Sequence, residues 1–207
     1  MDFNITAVSC LKFSTKKDSI FMKPTFGTYN RDHLVGIIFV ILLIILQTIA
    51  MGIAIIFLNI GLLVGFLFWT IQSKRLSNPN IIAMYLITVG VQSLHFLEEY
   101  LSGFQTEFPQ LFGYTWSDHQ FVIFNLLWLG VLIFNGVGVY YGIRLSYLLV
   151  YFFVIVGGIA NGVAHPLLSL MKGGYFPGLF TSPIVLFVGV VLLLKLSKNQ
   201  HSSLDVS

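Results

Sequence analysis

From Leu34 to Gln72 the chain carries no charged residue and no histidine. A single helix over that run would reach about 58 Å at about 1.5 Å per residue, roughly twice the hydrocarbon core of a bilayer. Such a run has to lie in lipid and turn back within it. Two crossings with a tight turn near Met51-Gly52 are predicted, with Asn59 to Gly61 as the alternative break. The remainder has the same character. The chain is 57% hydrophobic and only 9% charged, with mean hydropathy +0.89, where soluble domains average about 25% charged residues. This is the composition of an integral, multi-pass membrane protein with no stretch for a separate soluble core. The net charge of +3 points to no nucleic-acid surface. Cys10 is the only cysteine, which excludes an intrachain disulfide and a thiolate metal cluster.

Residues 1–33 read as a cytosolic basic arm against anionic lipid, with Met22 as a second candidate start. No small-residue cleavage site follows a short apolar region, so the arm does not read as a secretory signal. Ser73 to Asn80 forms a loop with Asn80 as a helix cap. Further crossings are expected at about 81–102, 120–142, 146–166 and 178–195. Between the first two of these, residues 103–119 are rich in Phe104, Phe108, Phe112, Tyr114 and Trp116 and are expected to lie along the membrane interface. Every Lys and Arg except Lys172 then falls on one side, so the positive-inside rule places both termini in the cytosol. The expected fold is all-α: a polytopic bundle of about six crossings, with an N-terminal hairpin (34–72), a four-helix core (81–195) and a cytosolic tail (196–207).

Inside these crossings the ionisable residues are His95, Glu98, Glu99 and His165. Each costs about 2.5–3.5 kcal/mol at the centre of a membrane helix on insertion scales, so the group needs partners: a proton, a cation or polar neighbours. At about 100° per residue, Glu98 stands about 60° to one side of His95 and Glu99 about 40° to the other. One imidazole and two carboxylates thus share a face. His165 closes Asn161-Gly-Val-Ala-His165, whose polar residues lie one turn apart, and Gly158 and Gly162 form a GxxxG that admits a close helix neighbour. A third cluster, Tyr175-Phe-Pro177-Gly178-Leu-Phe-Thr181, opens the last crossing, with Thr181 in its first turns. On the predicted topology His165 ends an outward-running helix, and all three clusters reach the outer half of the bilayer.

The HxxEE of 95–99, the NxxxH of 161–165 and the YxPGxxT of 175–181 resemble the three signatures of the HXXEE-motif family of multi-pass membrane proteins. The resemblance covers about residues 81–195, and it implies polar motifs of enzymatic character without naming a reaction. A second similarity is to the membrane glutamate proteases that cleave prenylated proteins. Those carry an arginine after the Glu pair and three further residues, where this chain departs with Gly103.

His nitrogen and carboxylate oxygen suit zinc or iron, and a catalytic site needs about three protein ligands and one open position. His95, Glu99 and His165 are the candidate metal ligands. Glu98 is left free to handle a proton, and Asn161, Tyr175 and Thr181 to bind or polarise substrate. The reading is a membrane metal-dependent hydrolase acting on a lipid-like or small amphiphilic substrate, with a metal-free variant using Glu and His as acid and base. A proton- or cation-coupled transporter is the alternative, and a scaffold whose polar cluster only fixes helix packing is a third. Asn125 and Asn135 read as interhelical glue, and Lys172 as a lone surface lysine.

Overall fold

The structure, a computed structural model, describes residues 26–72 and 81–198. The loop 73–80 with Asn80, the arm before residue 26 and the tail from 199 lie outside the described residues. The elements are α1 (Phe26–Met51), a 3₁₀ turn (Ile53–Ile55), α2 (Ile56–Gln72), α3 (Ile82–Ser102), α4 (Phe104–Gln110), α5 (Asp118–Tyr140), α6 (Arg144–Phe153), a π-helical segment (Val154–Ala160), α7 (Asn161–Lys172) and α8 (Ser182–Lys198). Among the described residues all regular structure is helical. Four stretches are long and apolar enough to cross a membrane: Arg31–Met51, Ile53–Ile71, Asp118–Tyr140 and Arg144–Lys172, with Ser182–Ser197 a shorter apolar helix. The 21-residue α3 has the length. Its Gln92, His95, Glu98 and Glu99 lower its apolarity, and the helix that carries the motif is thereby the least lipid-like of the long ones.

The first hairpin turns at Gly52, where φ is 70°, in the region open to glycine at little cost. Asn59, the alternative break, stays inside α2 and joins the helices instead: Gln47 Nε2 donates to Asn59 Oδ1 at 2.5 Å and Asn59 Nδ2 to Thr48 Oγ1 at 2.9 Å. α1 starts at Phe26, not Leu34, because extending a formed helix costs far less than nucleating one.

Two ends of the bundle are defined by polar contacts. At one, Asp32 of α1 pairs with Arg144 at 3.3 Å, and Trp69 of α2 donates to the Arg144 carbonyl at 2.8 Å. Nearby, Asn135 donates to Tyr85 and to the Ser146 carbonyl, at 3.2 and 3.1 Å, tying α3, α5 and α6 together. Asn135 is therefore interhelical glue; Asn125 bonds only within its own helix, to the Phe121 carbonyl at 2.9 Å. At the other end, Trp116 donates to the Met51 carbonyl at 2.8 Å, and Gln120 reaches the Ala50 carbonyl.

That second end is built around aromatic rings. Residues 103–119 contain α4, and their rings fold inward: Trp116 and Phe121 pack with Met51 and Ile55, flanked by Phe104, Phe108 and Phe112. Such a cluster buries a large area together, while Tyr114 stays exposed. Ser117 caps α5 by accepting from the Gln120 N–H at 3.1 Å. Lys172 is not alone either; it pairs with Glu107 of α4 at 2.5 Å.

The α6–α7 unit is continuous over 29 residues and runs past His165 to Lys172. The π-helical turns hold Gly157 and Gly158. A Cβ on Gly158 would come 2.9 Å from the Gly189 Cα of α8, and one on Gly162 would run into Leu186. The GxxxG thus brings α7 and α8 to backbone contact. Wide π turns recur at functional sites because they re-aim the side chains that follow, here Asn161 and His165.

Candidate metal centre

α3 delivers His95, Glu98 and Glu99 from its last two turns, then stops at Gly103 (φ 90°), whose N–H closes on the Glu99 and Tyr100 carbonyls. The position that holds arginine in the membrane glutamate proteases is thus a left-handed helix terminator here. α7 delivers His165 from its second turn. The segment 173–181 between α7 and α8 is not helical. Its Gly178 has φ 90°, and Thr181 precedes α8 as the acceptor for the Ile184 and Val185 N–H groups.

Three donor atoms converge. His95 Nε2 lies 3.2 Å from His165 Nε2. Glu99 Oε1 lies 3.4 Å from His95 Nε2 and 3.2 Å from His165 Nε2. Ligands about 2.0–2.1 Å from a tetrahedral ion stand about 3.3–3.4 Å apart, so this triangle has the edge lengths of three corners of such a shell. The group is sealed, with His95, His165 and Glu99 at 0, 2 and 5% exposure. His95, Glu99 and His165 could hold a metal ion.

The outer nitrogens decide the tautomers. His165 Nδ1 lies 2.5 Å from the Pro177 carbonyl, which only accepts, so Nδ1 carries the proton. His95 Nδ1 lies 2.6 Å from Thr181 Oγ1. That hydroxyl already gives its one hydrogen to Glu98 Oε2, so it too accepts, and His95 Nδ1 is protonated. With Nδ1 protonated, each imidazole in its neutral form presents a bare Nε2 lone pair to the other ring and to a carboxylate. A positive charge at the centre of the triangle, metal or proton, removes that repulsion.

Glu98 stands behind the triangle. Its carboxylate accepts from the Tyr175 hydroxyl (2.8 Å), the Phe180 N–H (2.9 Å), the Thr181 N–H (2.7 Å) and the Thr181 hydroxyl (2.5 Å). Partial burial raises the Tyr175 hydroxyl above its ordinary pKa, with the neighbouring Glu98 acting in the same direction, which keeps it a donor. The 175–181 segment is thereby clamped onto α3. Gly178 lies against the rings: a Cβ there would sit 2.5 Å from His165 Nδ1 and 3.0 Å from His95 Cε1.

On its other side the centre borders a cavity of about 410 Å³ whose wall includes Glu99 and His165, with Asn161, Asn125 and Gln92 as its other polar side chains. The Gln92 Oε1 is buried with no hydrogen-bond partner. Phe104 covers His165 with ring centroids 5.6 Å apart.

Of the residues singled out in the sequence, His95, Glu99 and His165 come together as the triangle, and Glu98, Tyr175 and Thr181 form the clamp behind it. Asn161 lies on the cavity wall, one turn from His165. The Pro177 carbonyl, the Phe180 N–H and the fit of Gly178 against the imidazoles were not legible, since backbone groups carry no side-chain signal; the left-handed turn at Gly178 was the nearest hint.

The chain belongs to the HXXEE family: residues 86–192 match the family described as a protein of unknown function with HXXEE motif. No curated protein and no solved structure matches the chain.

Proposed function

We propose that this protein is a membrane-embedded, metal-dependent hydrolase acting on a lipid-like or small amphiphilic substrate. The observation that carries the reading is the His95–Glu99–His165 triangle, with zinc-like edges and both outer nitrogens engaged, bordering an apolar cavity. Two histidines and a glutamate are a donor set suited to zinc or iron, and three protein ligands leave one position for water or substrate. When bound, such an ion polarises a carbonyl and makes water nucleophilic near neutral pH. The chain's own residues bind, orient and exclude water. Asn161 stands on the cavity wall where its amide can hold a substrate carbonyl. Glu98, Tyr175 and Thr181 are positioning residues: their hydrogen bonds aim the imidazoles, and none of the three lines the cavity. The aromatic cover of Phe104 and its neighbours keeps bulk water from the centre.

Metal analysis of the purified protein tests the reading. Wild type from medium supplemented with zinc and iron should carry about one ion per chain, and His95→Ala should carry almost none. Metal-free wild type whose melting temperature does not respond to either ion would overturn it.

The distribution of bases supports a centre in the outer half of the bilayer. The Asp32–Arg144 end would then be cytosolic and the 103–117 and 173–181 segments external. Cysteines introduced at Gly113 and Gly174 should react with an impermeant maleimide on intact cells, and one at Tyr141 only after permeabilisation. The reverse pattern would put the centre in the cytosolic half.

A further inference from the structure

The cavity beside the centre is long as well as apolar. Its wall on α5 runs from Phe121 to Leu132, and on the α6–α7 unit from Met171 back to Phe152, with His165 six residues in from the Met171 end. At about 1.5 Å per residue these walls measure about 16 and 28 Å. Two facing helices thus bound one elongated space, with Glu99 and His165 towards one end and Leu132 and Phe153 at the other. Phe96, Phe124, Trp128 and Leu129 line the middle. Its volume of about 410 Å³ falls in the usual range for ligand sites, about 300–1,000 Å³.

The mouth is apolar too. Leu111, Leu167 and Met171 belong to the wall and are 57, 52 and 83% exposed. The opening is thus rimmed by apolar side chains. The polar groups of the wall are the His/Glu group, Asn161, Asn125 and Gln92, and the rest is hydrocarbon and rings.

We infer that the cavity is the binding site for one unbranched acyl chain, held with its carboxyl-derived end at Glu99 and His165 and its terminal methyl towards Leu132 and Phe153. This rests on the hydrolase reading only for the chemistry at the polar end; the chain site itself does not require the metal. A slender, flexible chain fits the long wall. The substrate class is then a long-chain acyl ester or amide, and hydrolysis adds water across its C–O or C–N bond to release the acid and an alcohol or amine.

The test uses the full-length protein in detergent and a hexadecanoic acid bearing a diazirine near its terminal methyl. Labelling should fall on Phe124, Trp128, Leu129 or Leu132. Unlabelled hexadecanoic acid should compete and cholesterol should not. Leu129→Trp should cut labelling by the long probe about tenfold while a matching octanoic probe still labels; Leu168→Trp, on the opposite wall, serves if the first variant does not fold. His95→Ala should keep the labelling. Metal loss with labelling intact, or a wild type without metal that still labels, therefore separates this site from the hydrolase reading. Labels confined to lipid-facing residues such as Leu126, Ile133 and Phe134, or equal competition by cholesterol, would overturn the acyl-chain site.

Discussion

Replacing Glu99 by glutamine is expected to empty the centre of metal while leaving the protein folded. Replacing Glu98 by glutamine is expected to weaken metal binding about 10–100-fold. The two variants differ by one position in sequence and act by different routes. Glu99 Oε1 is a corner of the triangle, 3.2 and 3.4 Å from the two Nε2 atoms. An amide there is a poor ligand, and its NH₂ can donate to a bare Nε2, which satisfies the group without a cation. Glu98 acts through a hydrogen atom instead. Its Oε2 takes the Thr181 hydroxyl hydrogen, which makes Thr181 Oγ1 an acceptor for His95 Nδ1–H. With an NH₂ in place of Oε2, the hydroxyl must accept from the amide and turn its own hydrogen towards His95. The imidazole then carries its proton on Nε2, the atom that faces the triangle. Thr181→Val should reproduce the loss, and Glu98→Gln with Thr181→Val should cost no more than either alone, because both break one relay. Chelator competition measures all four affinities against wild type. Full metal content in Glu99→Gln would remove it as a ligand, and additive losses at Glu98 and Thr181 would remove the relay.

That division between neighbouring glutamates was partly legible in the sequence. The azimuths, about 40° and 60° from His95, favoured Glu99 as the partner of His95, and the structure puts Glu99 between the two imidazoles. They could not show that Glu98 faces a folded-back segment, because its four partners come from residues 175–181, two of them through backbone N–H groups. The sequence reading left Glu98 free to handle a proton; in the structure its carboxylate accepts four hydrogen bonds from residues 175–181. Long apolar helices were readable because length and charge depletion are local properties. The inward fold of Phe104, Phe108 and Trp116 was not, since an interfacial aromatic and a cavity-lining one have the same composition. The run of the helix past His165 was hidden by Pro166, a residue that usually marks an end. Here it sits inside α7, six residues after the π segment, where the chain's close packing on α8 holds the helix together.

Gly178→Ala is expected to abolish metal binding and lower the melting temperature, and a second glycine gives its control. Gly178 and Gly173 both adopt positive φ, 90° and 71°, where a Cβ costs about 1–3 kcal/mol. At Gly173 nothing lies within 4 Å of an added Cβ; at Gly178 the His165 Nδ1 and Cε1 lie 2.5 and 2.6 Å away and His95 Cε1 3.0 Å away. Neither ring can retreat. His165 is held by the Pro177 carbonyl on one side and faces His95 and Glu99 on the other. The segment must move instead, which pulls Pro177 off His165 and Thr181 off both His95 and Glu98. Overpacking of this kind adds about 1–3 kcal/mol to the backbone cost, and the loss of both outer-nitrogen partners frees the imidazoles to rotate. Gly173→Ala should therefore lower the melting temperature modestly with metal retained, while Gly178→Ala should lose more stability and the metal together. Added zinc should raise the melting temperature of wild type and Gly173→Ala, and leave that of Gly178→Ala unmoved. If the two alanine variants behaved alike in both measurements, the close fit of the 175–181 segment on the imidazoles would have no part in building the centre.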